Sequence, residues 1–497
     1  IYGLKGDLLT EPKPSDYQDN KIAVHSDDEV PSIAIIPLKN KGADEDMFYS
    51  YGISADLIKD CSGAGLIRVE SLDRIEKIEN YEKLDITELA SKLLVRYVAT
   101  GTLWKMGDMF QLSIELYDTK ESNVIWSDLW QEKWDDLPTI KSNFSDGLLK
   151  ALDIKLNKEI KAEIINAEAY EYYLQGKYKY QKQKNIEDTK IAQELFQKAI
   201  KLDSNLIDAK DWLGWTYADT GELDTAMDIF TSNFKQTMKI NDKCMMGYSC
   251  VGIGRVYWYK GDLDKALSYL VRSLNVFEEL GNMKGITHSL TYLSLVCIVN
   301  GDVEKALDYA KRSLEMHEEV KNEFEIGLTI HIIGMIHWRK GDLERAFENG
   351  IRSLTIIEKV DIMEWTIFYP LSNLGCYNFE KGDYKTAIEY LEKSISIQRN
   401  TGQKDIILWT TTYLFLSYKN IGREYDENEI HILIKETEYI EDFIYYHLYK
   451  LLEETLYLET AYNQIQEKAD NLEPDVKFIF LSYPIPSAIV EEWEKVK

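Results

Sequence analysis

The sequence has few of the residues that build metal sites and disulfide frameworks. Its 497 residues include five cysteines and seven histidines. The cysteines form no Cys-x-x-Cys pair and no dense framework, and His331 and His337 fall on different faces of a helix because they are not one turn apart. The sequence therefore predicts no metal, no cofactor, and free buried thiols in a reducing cytoplasm.

Basic residues are also scarce relative to acidic ones. Lysine and arginine number 58 against 85 aspartates and glutamates, for a net charge of −27. That balance repels a nucleic-acid backbone and an anionic membrane surface. Long apolar runs are missing too, since the longest candidate, residues 290–299, includes Thr and Ser. We therefore expect no direct nucleic-acid binding and no membrane span.

The first 30 residues are polar and contain Pro12, Pro14 and an acidic run at residues 27–29. This composition is typical of a linker. The chain does not begin with Met, so we expect residues 1–30 to connect to an upstream domain.

Residues 31–155 alternate between apolar runs and amphipathic stretches. Asp85 is a typical helix cap, and Gly107-Asp108 is typical of a tight hairpin turn. The order β-α-β-α-β-β-β-α predicts a small mixed α/β domain with helices on one or both faces of its sheet. The predicted strands are residues 32–37, 66–69, 97–105, 110–116 and 124–129. The predicted helices are residues 48–61, 86–93 and 137–152.

This domain contains several short motifs: Ile33-Ala34-Ile35-Ile36-Pro37-Leu38, Gly52, Tyr97-Val98-Ala99-Thr100-Gly101-Thr102, Gly107-Asp108 and Trp126. Together they resemble the TolB-like amino-terminal domain of bacterial signalling proteins. The chain departs from that family's pattern at Tyr51, where the family has Asp, so the resemblance does not carry over a polar role at this position.

A repeat with a nearly fixed period occupies the middle of the chain. Its marker glycines are Gly221, Gly261, Gly301, Gly341, Gly382 and Gly422. A period of about 40 residues is typical of a solenoid. The residue directly after each of the first five glycines, such as Asp262, is acidic and is expected to cap the next helix. A small residue, such as Gly254, precedes each of them, and another small residue follows each, which predicts two closely packed helices per unit. The small residues that follow are Ala226, Ala266, Ala306, Ala346 and Ala387. The fold class is therefore α+β, a small α/β domain followed by an all-α solenoid.

One unit carries Leu213-Gly214, Tyr217, Gly221, Ala226 and Phe230. This pattern resembles the tetratricopeptide repeat, and the longer units resemble those of bacterial signalling proteins and kinesin light chains. The resemblance implies about seven units over residues 156–425. We expect residues 426–497 to form a helical cap, because an end repeat must cover its apolar face.

In tetratricopeptide arrays the first helix of each unit lines a concave groove. Transferring those groove positions to this sequence gives candidate partner-binding residues rich in Trp, Tyr and Arg, the types that dominate binding hot spots. Arg255, Arg339 and Lys419 could receive an acidic peptide. The alternative is that the aromatic side chains only fill the groove. The candidates are Arg255, Trp258, Tyr259, His331, Trp338, Arg339, Tyr369 and Trp409.

No nucleophile–base pair or metal set converges in this sequence, so we expect no catalysis by this chain. The domain order resembles the carboxy-terminal half of bacterial class III adenylate/guanylate cyclases. That resemblance implies a cytoplasmic, non-catalytic scaffold that binds protein or peptide partners. The effector region of a winged-helix transcription regulator is the alternative. The oligomeric state stays open, with a homo-oligomer among the options.

Overall fold

The computed structural model describes residues 31–497 apart from 64–66, 71, 73–74, 76–77, 79, 134–135, 153–165, 184, 320–321, 360–363 and 403–405. The linker predicted at residues 1–30 lies outside the described residues.

The amino-terminal domain is built on one mixed sheet with the strand order β3-β1-β4-β5-β6. β1 runs parallel to β3 and β4, whereas β4, β5 and β6 form an antiparallel meander. The two-residue strand β2, which also pairs with β4, was not predicted. The strands are β1 Ser32–Ile35, β2 Lys39–Asn40, β3 Arg68–Val69, β4 Tyr97–Met106, β5 Met109–Asp118 and β6 Asn123–Lys133.

Among the described residues of this domain, the longer helices are α1 Met47–Gly63, α2 Ile86–Leu93 and α3 Leu137–Ala151. The Asp85 side chain accepts a hydrogen bond from the Thr87 amide and so caps α2, and Gly107 has a φ of 61° in the β4–β5 turn. Both local predictions are confirmed. The core on the α1 and α3 side of the sheet is continuous with the first helices of the solenoid.

In the part of the chain that the structure describes, seven antiparallel helix pairs follow, as expected of a solenoid, and the last helix of the seventh pair lies beyond residue 425, in the range predicted for the cap. The first helices of the pairs are α4 Ala167–Gln181, α6 Ile207–Asp219, α8 Lys243–Tyr259, α10 Met283–Asn300, α12 Glu323–Arg339, α14 Phe368–Glu380 and α16 Ile407–Ile421. The second helices are α5 Ile186–Leu202, α7 Leu223–Ile240, α9 Leu263–Leu280, α11 Val303–Glu319, α13 Leu343–Lys359, α15 Tyr384–Thr401 and α17 Glu427–Glu436.

The repeated residues act as predicted in the pair α8 and α9, whereas Glu222, the expected cap of α7, makes no side-chain cap hydrogen bond. Gly261 has a φ of 79°, which a residue without a side chain adopts readily, and Asp262 caps α9 at the Lys265 amide. A Cβ on Gly254 would lie 2.7 Å from Cγ of Leu270, so α8 and α9 approach closely at this point. Ala266 is fully buried on the facing helix. Small residues therefore set the helix separation.

The carboxyl-terminal segment is helical, with α18 Asp442–Leu452, α19 Thr455–Asn471, α20 Pro474–Ser482 and α21 Pro484–Val496. We expected a cap on the last repeat, and α18 does pack on α16 of the last pair, where Phe443 meets Trp409. The segment also runs back over earlier pairs, which was not expected, and there it covers three of the marker turns. Tyr439 packs on Gly261, Phe480 on Gly301 and Pro484 on Gly341, each within 3 Å of where a Cβ on that glycine would lie.

Candidate functional site

The concave groove of the solenoid can be located from contacts between helices that are two pairs apart. The Trp215 ring on α6 lies 5.4 Å from the His288 ring on α10, and the Trp338 ring on α12 lies 5.8 Å from the Trp409 ring on α16. Contacts of this kind require a strongly curved inner surface. The groove is therefore narrow, and its lining comes from the first helices.

At the carboxyl-terminal end, the groove is filled by the chain itself. Trp338 and Trp409 stack with an interplanar angle of 6° and are only 3% and 6% exposed. The Phe443 ring of α18 meets both indoles edge-on, with centroids 5.5 and 5.4 Å away. α18 thus occupies the positions that the sequence assigned to a partner.

Arg339 belongs to the same closed end. Its guanidinium carbon lies 3.9 Å from the centroid of the Phe443 ring, and its Nη2 donates to Glu441 Oε2 at 2.7 Å. Glu441 immediately precedes α18. The cation that could receive an acidic peptide already has a carboxylate partner within the chain.

His331 and Tyr369 lie deeper in the same half of the groove. Their ring centroids are 5.6 Å apart, and Nδ1 of His331 is 3.0 Å from the side-chain amide nitrogen of Asn373. Burial lowers the pKa of His331 to about 3. The imidazole is therefore neutral near pH 7 and adds no positive charge to the groove.

At the amino-terminal end the groove is closed by α1 of the leading domain. The Asp56 carboxylate of α1 accepts hydrogen bonds from Tyr170 (2.7 Å) and Tyr173 (3.1 Å) on α4, and it forms an ion pair with Lys177 at 2.8 Å. The Asp56 and Lys177 side chains are 4% and 7% exposed. A Cβ on Gly52 would lie 2.6 Å from Leu174, so α1 needs this glycine to approach α4.

This network was not predicted from the sequence. A usable signal was the position of Lys177, which directly follows Gly176 as Trp215 follows Gly214 and Arg255 follows Gly254. Lys177 is thus the groove residue of the first pair. The sequence did not indicate that Asp56 would be its partner.

Between the two closed ends lies a stretch of partly exposed aromatic side chains, which we call the window. It is defined by Trp215, Tyr248, Trp258, Tyr259, His288 and Tyr292. The predicted site residues Trp258 and Tyr259 lie here, with stacked rings 4.9 Å apart. Aromatic faces at the surface of a groove offer contact area at low entropic cost.

Arg255 lies at the base of the window and is buried. Its Nη2 donates to Asp219 Oδ1 at 2.5 Å, its Nε donates to the Tyr259 hydroxyl at 3.2 Å, and its guanidinium carbon lies 5.2 Å from the Trp215 centroid. Lys419, the third cation of the predicted set, pairs with Glu453 at 2.8 Å. Arg255, Arg339 and Lys419 are therefore all paired internally.

Two negative findings apply to the described part of the chain. No group of three or more His, Cys, Asp or Glu side chains is arranged to hold a metal ion there. No helix in that part is both long and apolar enough to cross a membrane.

Comparison with known proteins identifies the type of repeat. Family models described as the tetratricopeptide repeat match residues 248–319 and 370–401. No curated protein matches the chain.

Among solved structures, the chain is similar to a Rap protein complexed with competence and sporulation factor, with 13% identity, 73% of this chain and 95% of that chain covered, and a TM-score of 0.46. It is also similar to BtubC from P. vanneervenii, with 16% identity, 44% and 91% covered, and a TM-score of 0.34. A third similarity is to TolB from Acinetobacter baumannii, with 19% identity, 25% and 28% covered, and a TM-score of 0.20.

The family-model matches fall on the helix pairs that the glycine period predicted. The TolB-like assignment of residues 31–155 and the partner-binding role of the groove residues stay predictions. The chain carries tetratricopeptide repeats, at residues 248–319 and 370–401, within a solenoid of paired helices.

Proposed function

We propose that this chain is a non-catalytic scaffold that binds a peptide segment of a protein partner through the window. Tetratricopeptide repeats suggest protein–protein interaction. The observation that carries the proposal is the contrast along the groove: both ends are covered by α1 and α18, whereas the aromatic side chains of the window are partly exposed. The indole and phenol rings there are residue types that dominate binding hot spots.

The test is selection from a displayed library of random dodecapeptides on the full chain, followed by titration of the recovered peptides by fluorescence anisotropy. We expect Trp258→Ala and Tyr259→Ala each to weaken binding by about tenfold or more, as loss of a hot-spot residue does. The control is Trp104→Ala, which removes a half-exposed indole from the amino-terminal sheet, outside the groove. Equal peptide affinities of the wild type and the three variants, with unchanged circular dichroism spectra, would contradict the proposal.

For the biological context we propose a cytoplasmic signalling protein in which this chain is the regulatory part attached to an adenylate or guanylate cyclase. The order of the α/β domain and the repeats supports this proposal by resemblance. Incubation of the chain with ATP or GTP and Mg²⁺ or Mn²⁺ should yield no cyclic nucleotide. The sequence immediately before Ile1 separates this context from the alternative, a winged-helix regulator, because a cyclase domain and a winged helix have different motifs.

A further inference from the structure

We propose that the window contains a subsite for a basic side chain, Lys or Arg, of the bound peptide, with the Asp211 carboxylate as its anchor. The inference rests on the function proposed above and specifies the chemistry of the partner. It also predicts a basic peptide, whereas the sequence suggested an acidic one.

The first observation is an unpartnered acceptor. Asp211 lies on α6 and is 8% exposed. Its Oδ2 accepts a hydrogen bond from Trp215 Nε1 at 3.2 Å, but its buried Oδ1 accepts none from the described residues. A buried carboxylate oxygen without a donor is costly, and a cationic donor from a ligand would satisfy it.

The second observation is the balance of charge along α6. Lys59 of α1 pairs with Asp208, and Arg255 pairs with Asp219. Two of the three carboxylates on α6 thus have a cation partner, and Asp211 has no ion-pair partner among the described residues. An acidic ligand would have to displace Asp219 from Arg255, whereas a basic ligand would meet the unpartnered Oδ1 of Asp211. The net charge of −27 also attracts a basic partner.

The third observation is the wall beside Asp211. Trp215, whose indole nitrogen holds Asp211, has its ring centroid 6.2 Å from that of Tyr292 and 5.4 Å from that of His288. Aromatic faces next to a carboxylate suit an ammonium or a guanidinium group, because both attract positive charge. Burial lowers the pKa of His288 to about 3, so this ring does not repel a cation.

The repeat itself marks Asp211 as unusual. At the equivalent position, the following first helices carry uncharged side chains or the neutral His331. A carboxylate at this inward position is not required by the packing of a helix pair. The equivalent residues are Val251, Thr291, His331, Ser372 and Thr412.

Burial raises the pKa of Asp211 to about 7, although Lys59 opposes the rise. The groups facing Asp211 are Lys59 from α1, Asp208 and Trp215 from α6, and Tyr248 from α8. Because the ionised carboxylate is the form that pairs with a cation, a basic peptide should bind more tightly above this pKa than below it.

The experiment is peptide selection on the full chain at about pH 8, in parallel on the wild type, Asp211→Asn and Asp228→Asn, with the pH set about one unit above the Asp211 pKa. Asp228 is an exposed aspartate on α7 and serves as the matched control. We expect Lys or Arg to be enriched at one peptide position for the wild type and Asp228→Asn. Asp211→Asn should lose the enrichment and bind the selected peptide about tenfold or more weakly.

Several outcomes would overturn the inference. Enrichment of peptides without a basic residue would refute it and leave the proposed scaffold function intact, and so would identical selections on the wild type and Asp211→Asn. If no peptide is selected and Trp258→Ala changes no interaction of the chain with a protein or peptide, both the Asp211 subsite and the proposed scaffold function are refuted. If Asp211→Asn does not fold, the wild type still decides: affinity for the selected basic peptide must fall about tenfold between about pH 8 and pH 6, and a constant affinity would count against Asp211.

Discussion

The two ends of the groove are both closed by the chain, but they are closed by different chemistry. At the amino-terminal end, one buried carboxylate, Asp56, receives two hydroxyls and the Lys177 ammonium. At the carboxyl-terminal end, Phe443 meets the rings of Trp338 and Trp409. The amino-terminal closure depends on specific hydrogen bonds and one buried ion pair, whereas the carboxyl-terminal closure combines aromatic contact area with the Arg339–Glu441 ion pair.

The largest loss of stability is expected when the buried charge at the amino-terminal end is removed. Asp56→Leu leaves Lys177 without its partner in a water-poor site, and we expect a loss of about 3–5 kcal/mol in the free energy of unfolding. Denaturant titration followed by tryptophan fluorescence measures it. The double variant Asp56→Leu/Lys177→Met should recover the part of the loss that comes from the unpaired charge, but not the part that comes from the Tyr170 and Tyr173 hydroxyls, which still lack their acceptor. No recovery would show that the network does not act through charge.

At the aromatic end, Phe443→Ala should cost about 3 kcal/mol, because it leaves a cavity between Trp338 and Trp409. The same titration measures the loss. Phe478→Ala is the matched control: Phe478 lies in the same carboxyl-terminal segment but is 78% exposed. We expect its effect to stay within about 0.5 kcal/mol. Equal effects of the two variants would refute the aromatic closure.

Acid should act on the two halves in opposite directions. The folded pKa of His331 is lowered by burial, so the unfolded chain binds a proton first as the pH falls below about 6.5, and this histidine weakens the fold by about 1.4 kcal/mol per further pH unit. The folded pKa of Asp211 is raised by burial, so its contribution weakens as the pH rises toward 7. Urea titrations of His331→Gln and Asp211→Asn across this range should show slopes that differ from the wild type with opposite signs.

A smaller effect is expected at the approach of α1 to α4. Gly52→Ala gains helix propensity but forces a methyl group against Leu174, and we expect a net loss of about 1 kcal/mol. Hydrogen exchange along α1 and α4 measures it. In a Leu174→Ala background the same substitution should be neutral or stabilising, and a persistent cost there would point to another cause.

The smallest change in stability is expected at a partly exposed ion pair at the edge of the carboxyl-terminal segment. Glu438 lies 3.7 Å from Lys260, and both side chains are partly exposed. Glu438→Gln should therefore change stability by less than about 0.5 kcal/mol, and less still at high salt. A larger loss in the denaturation midpoint would mean that this pair holds the segment in place.

The sequence predicted the parts of the fold that depend on local rules. Gly261 ends one helix, Asp262 caps the next, and Gly254 with Ala266 sets their separation, all within one pair. The same holds for Asp85 and Gly107 in the sheet domain.

The closures of the groove could not be predicted in this way. The contact of Asp56 with Lys177 spans 121 residues, and that of Arg339 with Glu441 spans 102. The first requires the leading domain to pack against the first helix pair, and the second requires the curvature of the last pairs; no short sequence pattern specifies either. Trp338 and Trp409 are therefore correctly placed on the inner surface by their repeat position, but their coverage by Phe443 is visible only in three dimensions.

The contacts of Tyr439, Phe480 and Pro484 with three successive marker turns have a consequence for cooperativity. In an ordinary solenoid each unit interacts with its immediate neighbours, so units can melt one at a time. Here one continuous segment of the chain packs on the turns at Gly261, Gly301 and Gly341, so none of these units can open without breaking its contact with that segment. The three pairs that carry these turns should therefore unfold in one transition, and under a mechanical pull along the array they should resist extension as one stiff unit.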